Sequence, residues 1–279
     1  MKVSALYLSY NSDLELLSQS VSDTCHFCDH VYVYDNFSKI KPSIINDNCT
    51  VIYGEKNIGV SGLNYIMKLA LENGSDFVLI IDQDSLLPSN FISDSLMAYK
   101  VRPGVYAPFY KDRIRSDKSY KLESIAHRYV PVEFAIGSGL LLSKEIIETV
   151  GYMDESFFLD CVDIDYCFRL NEKKIPIIVD RYCKMEHSIG DDFLEVFTWT
   201  FSLHSPFRHY LYYKNSFSLI VKTYTPLRWK VKQILKMNFQ WFIYSVFSKD
   251  KLLNFKALPL ALIDCVYKRE PLDRLSLFS

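Results

Sequence analysis

Phe77-Val-Leu-Ile-Ile-Asp82-Gln83-Asp84-Ser85 is the stretch on which the reading of this chain turns. Its apolar run, with β-branched Val78, Ile80 and Ile81, predicts a buried strand, and two carboxylates leave the strand's end. Ligands in open α/β sheets bind beyond the carboxyl ends of strands. A carboxylate pair there suits a divalent cation that bridges the phosphates of a nucleotide. The Asp-x-Asp pattern alone carries little. The 279 residues hold 21 Asp, and the pattern occurs at Asp82/Asp84 and Asp163/Asp165, about as often as chance gives. The strand in front of it supplies the weight.

Upstream, residues 3–10 read as a strand ending in Ser9-Tyr10-Asn11, with a helix expected from Ser12. His30-Val-Tyr-Val-Tyr-Asp35 and Cys49-Thr-Val-Ile-Tyr53 read as two more strands. Asn57-Ile-Gly59-Val-Ser-Gly62 then leads into a helix over 63–73. Strands and helices alternating at this interval predict a mostly parallel sheet covered on both faces, with right-handed crossovers that line the strand ends along one edge. Downstream, a helix is expected between Pro88 and Tyr99, and a strand at Val105-Tyr-Ala-Pro-Phe109. A polar surface excursion is expected over 111–128. Residues 134–142 return to the core through Gly137-Ser138-Gly139, and a helix from Ser143 ends at Gly151. A strand is expected at Ile175-Pro-Ile-Ile-Val-Asp180. Residues 197–279 are aromatic, basic and helical in character.

Hydrophobic content of 49%, charged content of 23% and a formal net charge of −1 describe a folded protein and argue against a dedicated nucleic-acid binder. Seven cysteines without paired spacing predict reduced thiols and a cytoplasmic setting. The first residues enter a strand directly, with no secretory signal expected, and no run approaches the roughly 18 apolar residues of a membrane span. Neither a G-x-G-x-x-G fingerprint nor a G-x-x-x-x-G-K-[ST] phosphate loop occurs, which removes the strongest support for hydride transfer and P-loop chemistry. Cys25-His26-Phe27-Cys28 lacks the second pair that a zinc site needs.

The second acidic cluster, Asp160-Cys-Val-Asp163-Ile-Asp165-Tyr-Cys-Phe-Arg169, admits two readings. At a helix start, Asp160 and Asp163 lie one turn apart, Asp165 pairs with Arg169, and the acids favour the helix dipole. Beside a cleft, the same carboxylates can take a proton from a substrate hydroxyl. His187, after a strand and near Gly190, is either structural or a third metal ligand. Asp35-Asn36 is either turn chemistry or a reader of base and ribose. Gly137-Ser138-Gly139 is either a turn or a place where a sugar approaches the backbone.

These motifs, in this order over about 210 residues, resemble the GT-A family 2 glycosyltransferases, especially their bacterial rhamnosyltransferase branch. Val150-Gly-Tyr-Met-Asp-Glu155, His187-Ser-Ile-Gly190-Asp191 and Arg208-His-Tyr-Leu-Tyr-Tyr-Lys-Asn215 join the match. The resemblance implies an α/β, Rossmann-like GT-A sheet over 1–196, with a nucleotide-sugar half to about 100 and an acceptor half after it. A helical extension follows over 197–279. It implies donor contacts from Tyr10, Asn11, Asp35, Asn57, Gly62, Asn64, Asp82, Gln83, Asp84, Gly137, Ser138 and Gly139. Mg²⁺ or Mn²⁺ would be held by Asp82, Asp84 and His187, with Asp84 the direct ligand. Asp163 would be the base, Asp160 its alternative, in an inverting transfer. Val162-Asp163 stands where the wider family has Glu-Asp, and Asp165-Tyr166 where the branch often has Glu and Trp. The Gln-x-x-Arg-Trp motif of processive synthases is missing, since Thr225 lies three residues before Arg228.

The implied reaction moves L-rhamnose from dTDP-L-rhamnose to a lipid-linked acceptor of O-antigen or other surface polysaccharide. A UDP-hexose donor is the alternative, and a non-catalytic carbohydrate-binding relative a more distant one. From Lys222 to Glu270 there are ten Lys/Arg against three Asp/Glu, interleaved with Trp229, Phe239, Trp241 and Phe242. That segment reads either as an interfacial helix on anionic lipid or as a helix packed on the catalytic domain. The expected location is the cytoplasm, peripheral on the inner face of the membrane.

Overall fold

The computed structural model describes residues 1–112, 127–187, 192–196, 199–267 and 269–278, without the side chains of Lys111, Asp112, His187 and Asp192. The chain divides into two compact units, one of residues 1–156 and 162–188, the other of 157–161 and 189–279.

The first unit is an eight-stranded sheet in the order β3-β2-β1-β4-β7-β5-β8-β6. The strands are β1 (Val3–Ser9), β2 (His30–Asp35), β3 (Cys49–Tyr53), β4 (Phe77–Asp82), β5 (Val105–Asp112), β6 (Tyr129–Val132), β7 (Leu140–Ser143) and β8 (Ile177–His187). Six strands run one way. β7 is antiparallel to β4 and β5, and β6 is antiparallel to β8. The sheet is the mostly parallel one expected for a GT-A fold.

Alternate residues of each strand feed a separate core on each face, which is why the strands read as nearly unbroken apolar runs. Val78 and Ile80 enter one core, and Phe77, Leu79 and Ile81 the other. Helix α2 (Ser61–Glu72) covers the first core with Leu63, Ile66, Met67 and Ala70, at the spacing of one helical face. Helices α4 (Lys144–Val150) and α5 (Val162–Glu172) complete that layer. Helices α1 (Leu14–Cys25) and α3 (Phe91–Val101) cover the second. Each fully buried Leu, Ile or Phe contributes about 1.5–3 kcal/mol by leaving water.

Several elements differ from the sequence expectation. α1 starts at Leu14, because the Asp13 carboxylate accepts from the amides of Glu15 and Leu16 and caps the helix. The apolar stretch 134–142 supplies only the short β7. β8 continues past Asp180 to His187, across a bulge where β5 shifts register between Pro108 and Phe109. Most of the predicted excursion over 111–128 lies outside the described residues. Its last part, residues 127–128, leads into β6 and places Arg128 against Asp180.

The second unit includes an antiparallel pair of β9 (Asp192–Val196) and β10 (Trp199–Leu203), the latter in a stretch where helix was expected. Helices α6 (Pro206–Val221), α7 (Leu227–Phe247) and α8 (Lys251–Val266) come next, with a closing 3-10 helix at Pro271–Leu277. Ser205 caps α6 and Pro206 sits in its first turn. Tyr210, Leu211, Tyr213, Met237, Ala257 and Ala261 form its core. Gln233 of α7 donates to Tyr212 and Ser216 of α6, which satisfies a buried amide. No described helix is long and apolar enough to cross a membrane.

Candidate functional site

Because β7 runs against β4, the chain entering β7 lies at the edge where β4 ends. The sequence uses this. The Gly139 amide donates to the Ile80 carbonyl at 2.7 Å, and the Asp82 amide donates to the Ser138 hydroxyl at 3.0 Å. Ser138 in turn donates to the Ser85 hydroxyl at 2.8 Å, and the Ser20 hydroxyl donates to the Ser85 carbonyl at 2.6 Å. All three serines are buried. They hold the Asp82-Gln83-Asp84 turn from behind while Asp82 itself is exposed and Asp84 half-buried. Sequence reasoning missed Ser20 and Ser85. A buried serine has no pattern of its own.

Glycine is required at 139, where φ is +83° and a β-carbon would lie 2.4 Å from the Pro108 ring. At Gly137 a β-carbon would lie 3.6 Å from that of Asp163, an ordinary contact. Asp163, half-buried in the first turn of α5, therefore stands beside the Gly137-Ser138-Gly139 turn that is bonded to the end of β4.

The ends of β1 and β2 join the same edge. The Tyr10 amide donates to Gln83 at 2.7 Å and the Asn11 amide to Ser38 at 2.8 Å. Asn11, at φ +46°, accepts from the Lys39 amide. Asp35 is fully buried. Its Oδ2 accepts from the Ser38 amide at 3.2 Å, and its Oδ1 has no hydrogen-bond partner among the described residues. Asn36 accepts from the Ile58 amide and donates to the Gly59 carbonyl, while Asn57 accepts from the Gly59 amide. The 57–59 loop is thereby fastened to the end of β2.

Two residues expected at the donor have packing duties. A β-carbon at Gly62 would lie 2.6 Å from the Tyr34 ring, so glycine lets α2 approach β2. Asn64 gives both amide hydrogens to the Met153 carbonyl and Glu155, and accepts from the Met153 amide. Its side chain ties down the loop before α5. Asp165 also serves packing. It holds Arg169 at 2.8 Å, and Arg169 donates to the carbonyls of Val150 and Tyr152. Asp160 lies outside α5, at φ +37°, so the expected one-turn spacing from Asp163 does not arise. It pairs with Arg208 at 3.2 Å within the second unit.

Leu86 and Glu186 exchange backbone hydrogen bonds of 3.1 and 3.2 Å, which brings the end of β8 against the chain just past Asp84. His187 is the next residue after Glu186, and its side chain lies outside the described residues. Carboxylates at a strand end form a donor set that fits a divalent cation such as Mg²⁺ or Mn²⁺. A second group, Asp94, Asp180 and Cys183, also brings ligand-type atoms within 4.8 Å of one another. There the Arg128 guanidinium already supplies the positive charge, at 2.8 Å from Asp180 and in contact with Asp94. Burial and Asp180 push the Cys183 thiol up to about 12. We read that cluster as a structural ion pair.

No protein-family model matches the chain. It is 27% identical to the dTDP-rhamnosyl transferase RfbF of Shigella flexneri over 281 residues, covering 93% of this chain and 94% of that one. A shorter match, 37% identical over 51 residues and 18% of this chain, is to the low-salt glycan biosynthesis hexosyltransferase Agl10 of Haloferax volcanii. Among solved structures, residues 1–349 of S. aureus TarS in complex with UDP-GlcNAc align with TM-score 0.59 at 15% identity. That alignment covers 95% of this chain and 81% of the other. GalNAc-T7 with UDP, GalNAc and Mn²⁺ aligns with TM-score 0.56 at 11% identity, and this chain spans 57% of its length. These structural likenesses establish the GT-A fold.

Proposed function

We propose that this GT-A glycosyltransferase moves L-rhamnose from dTDP-L-rhamnose, with inversion, to a lipid-linked saccharide acceptor of O-antigen or another surface polysaccharide. The observation that carries the reading is the similarity, across 93% of the chain, to a protein named for dTDP-rhamnosyl transfer. The carboxylates gathered along one sheet edge give that similarity a chemistry.

In this reading the nucleoside lies over the ends of β1 and β2, against Tyr10, Asn11 and Asn57. The buried Asp35 Oδ1 is an acceptor without a donor among the described residues, and the N3–H of thymine is the donor such an atom favours. Gln83, which accepts from the Tyr10 amide, fastens the end of β4 to the end of β1. The acceptor hydroxyl attacks the anomeric carbon as the carbon–oxygen bond to the diphosphate breaks. Asp163 takes the hydroxyl proton, and help of this kind contributes about 10²–10⁴ in rate. Asp82, Asp84 and His187 would hold Mg²⁺ or Mn²⁺, which when bound supplies positive charge to the departing diphosphate. Gly137 leaves the space next to Asp163 clear of a side chain. Because the acceptor is lipid-linked, the enzyme works at the inner face of the cytoplasmic membrane.

A screen of nucleotide sugars for thermal stabilisation, with Mn²⁺ present, tests the donor assignment, since a ligand that binds only the native state raises its melting temperature. Stabilisation by dTDP-L-rhamnose above UDP-glucose and UDP-galactose is expected. Stabilisation by a UDP-hexose alone would overturn the donor and leave the fold reading intact.

A further inference from the structure

Helix α7 presents two contrasting faces. One face, including Gln233, Met237 and Tyr244, is buried within the second unit. A second carries Leu227, Val231, Ile234, Leu235, Phe242 and Val246 at helical spacing, and every one is exposed. Leu227 is 75% exposed, Leu235 68% and Phe242 56%, far more than a helix needs to leave in water. Arg228, Lys232 and Lys236 border that apolar face.

Helix α8 repeats the arrangement, with Leu252, Leu262 and Val266 exposed and Lys251 and Lys256 among them. The two helices meet where the Trp241 indole donates to the Phe255 carbonyl at 2.9 Å and the two rings lie 5.3 Å apart. At the other edge of α7, the exposed Trp199 packs on Phe239 at 5.3 Å. Tryptophan contacts thus join α7 to β10 on one side and to α8 on the other.

Charge selects its occupant. α7 and α8 carry six Lys/Arg and one acidic residue, Asp264, which is buried and bonded to Arg274 at 2.7 Å. Pairing this face with a second copy would set lysines against lysines. An anionic lipid surface accepts both features, because apolar side chains enter the acyl boundary while lysines stay with the headgroups.

We propose that α7 and α8 together form a membrane-docking surface that lies in the interface of an anionic bilayer. It binds by the apolar residues of both helices and the lysines around them. This inference needs neither the donor nor the acceptor assigned above, so its failure leaves the glycosyltransferase reading untouched.

The test is co-sedimentation of the full chain with vesicles of phosphatidylcholine, with and without phosphatidylglycerol, at low and high salt. Binding is expected only with the anionic lipid, weakening as salt screens the lysines. Lys232→Ser with Lys256→Ser should lower partitioning by about fivefold per lysine. Leu235→Gln with Phe242→Gln should lower it further, while the melting temperature and nucleotide-sugar binding stay as in the parent. Because all four side chains are exposed, folding is not at stake. Parent protein that remains in the supernatant with anionic vesicles overturns the proposal. So does a dimer that forms without lipid and is lost in the Leu235→Gln/Phe242→Gln variant.

Discussion

A β-carbon added at Gly137 would lie 3.6 Å from that of Asp163, although 25 residues of chain lie between them. The contact sets a carboxylate of α5 beside the turn whose next residue, Ser138, accepts from the Asp82 amide. If Asp163 is the base, Asp163→Asn should lower kcat by about 10²–10⁴-fold while nucleotide-sugar binding, read by thermal shift, survives. Asp160→Asn should leave kcat within a few-fold. Near-parental turnover in Asp163→Asn, with loss in Asp160→Asn, would move the base to the second candidate.

The other glycine of this turn makes a structural prediction. At Gly139 the positive φ and the Pro108 ring both exclude a side chain, whereas Gly74 has φ +82° with no atom within 4 Å of an added β-carbon. Gly74→Ala should therefore cost only the left-handed conformation, about 1–2 kcal/mol. Gly139→Ala should cost more, because the backbone of β7 or β5 must also move. Denaturant unfolding of the two variants separates strain from overlap. Equal losses would mean that Pro108 yields freely.

Much of this edge was legible in the sequence, and the reason is periodicity. β1, β2 and β4 are buried on both faces, so their apolar runs ending at Ser9, Asp35 and Asp82 could be read directly. The resemblance added Gly137 and Asp163, which no local pattern connects. What the sequence hid was how polar residues are used. Asn64 was expected at the donor, yet its side chain satisfies backbone groups of the loop before α5, whereas the Asp165–Arg169 pair is the one the i,i+4 spacing offered. The continuation of β8 was readable in hindsight, since Cys183 and Met185 are buried between exposed Tyr182, Lys184 and Glu186. Trp199-Thr-Phe201-Ser-Leu203 of β10 alternates in sequence but not in burial, and its signal was masked by the helical character of residues 206–266.

Metal dependence should follow Asp84 and leave the Arg128 cluster out. Asp84→Ala is expected to abolish the part of nucleotide-sugar stabilisation that chelator removes from the parent. Cys183→Ser should keep that dependence whole, because Arg128 already neutralises Asp94 and Asp180. Arg128→Met should instead destabilise the fold by about 3–5 kcal/mol, since it leaves a buried carboxylate unpaired. A parent enzyme fully active in excess chelator would remove the metal from the reading altogether.

The second unit should lose stability on acidification in two separable windows. His209 is buried, stacks on Tyr244 with ring centroids 4.0 Å apart, and is lowered from 6.5 to about 4 by burial. Its Nδ1 donates to Asn254 Oδ1 at 2.7 Å, since the Asn254 amide nitrogen is spent on Ser248 and Asp250. The unfolded chain binds this proton first, so stability should fall as pH drops from about 6.5 towards about 4. Asp264 lies below its usual 3.8, chiefly through its hydrogen bonds to Arg274. Its contribution is present above the unfolded value and is lost only as pH falls through the folded one. Melting temperature measured against pH should therefore flatten in the upper window for His209→Gln. It should flatten in the lower window for Arg274→Met. A parent curve level between pH 6.5 and 4 would mean that His209 gains a proton in the folded state as readily as in the unfolded chain.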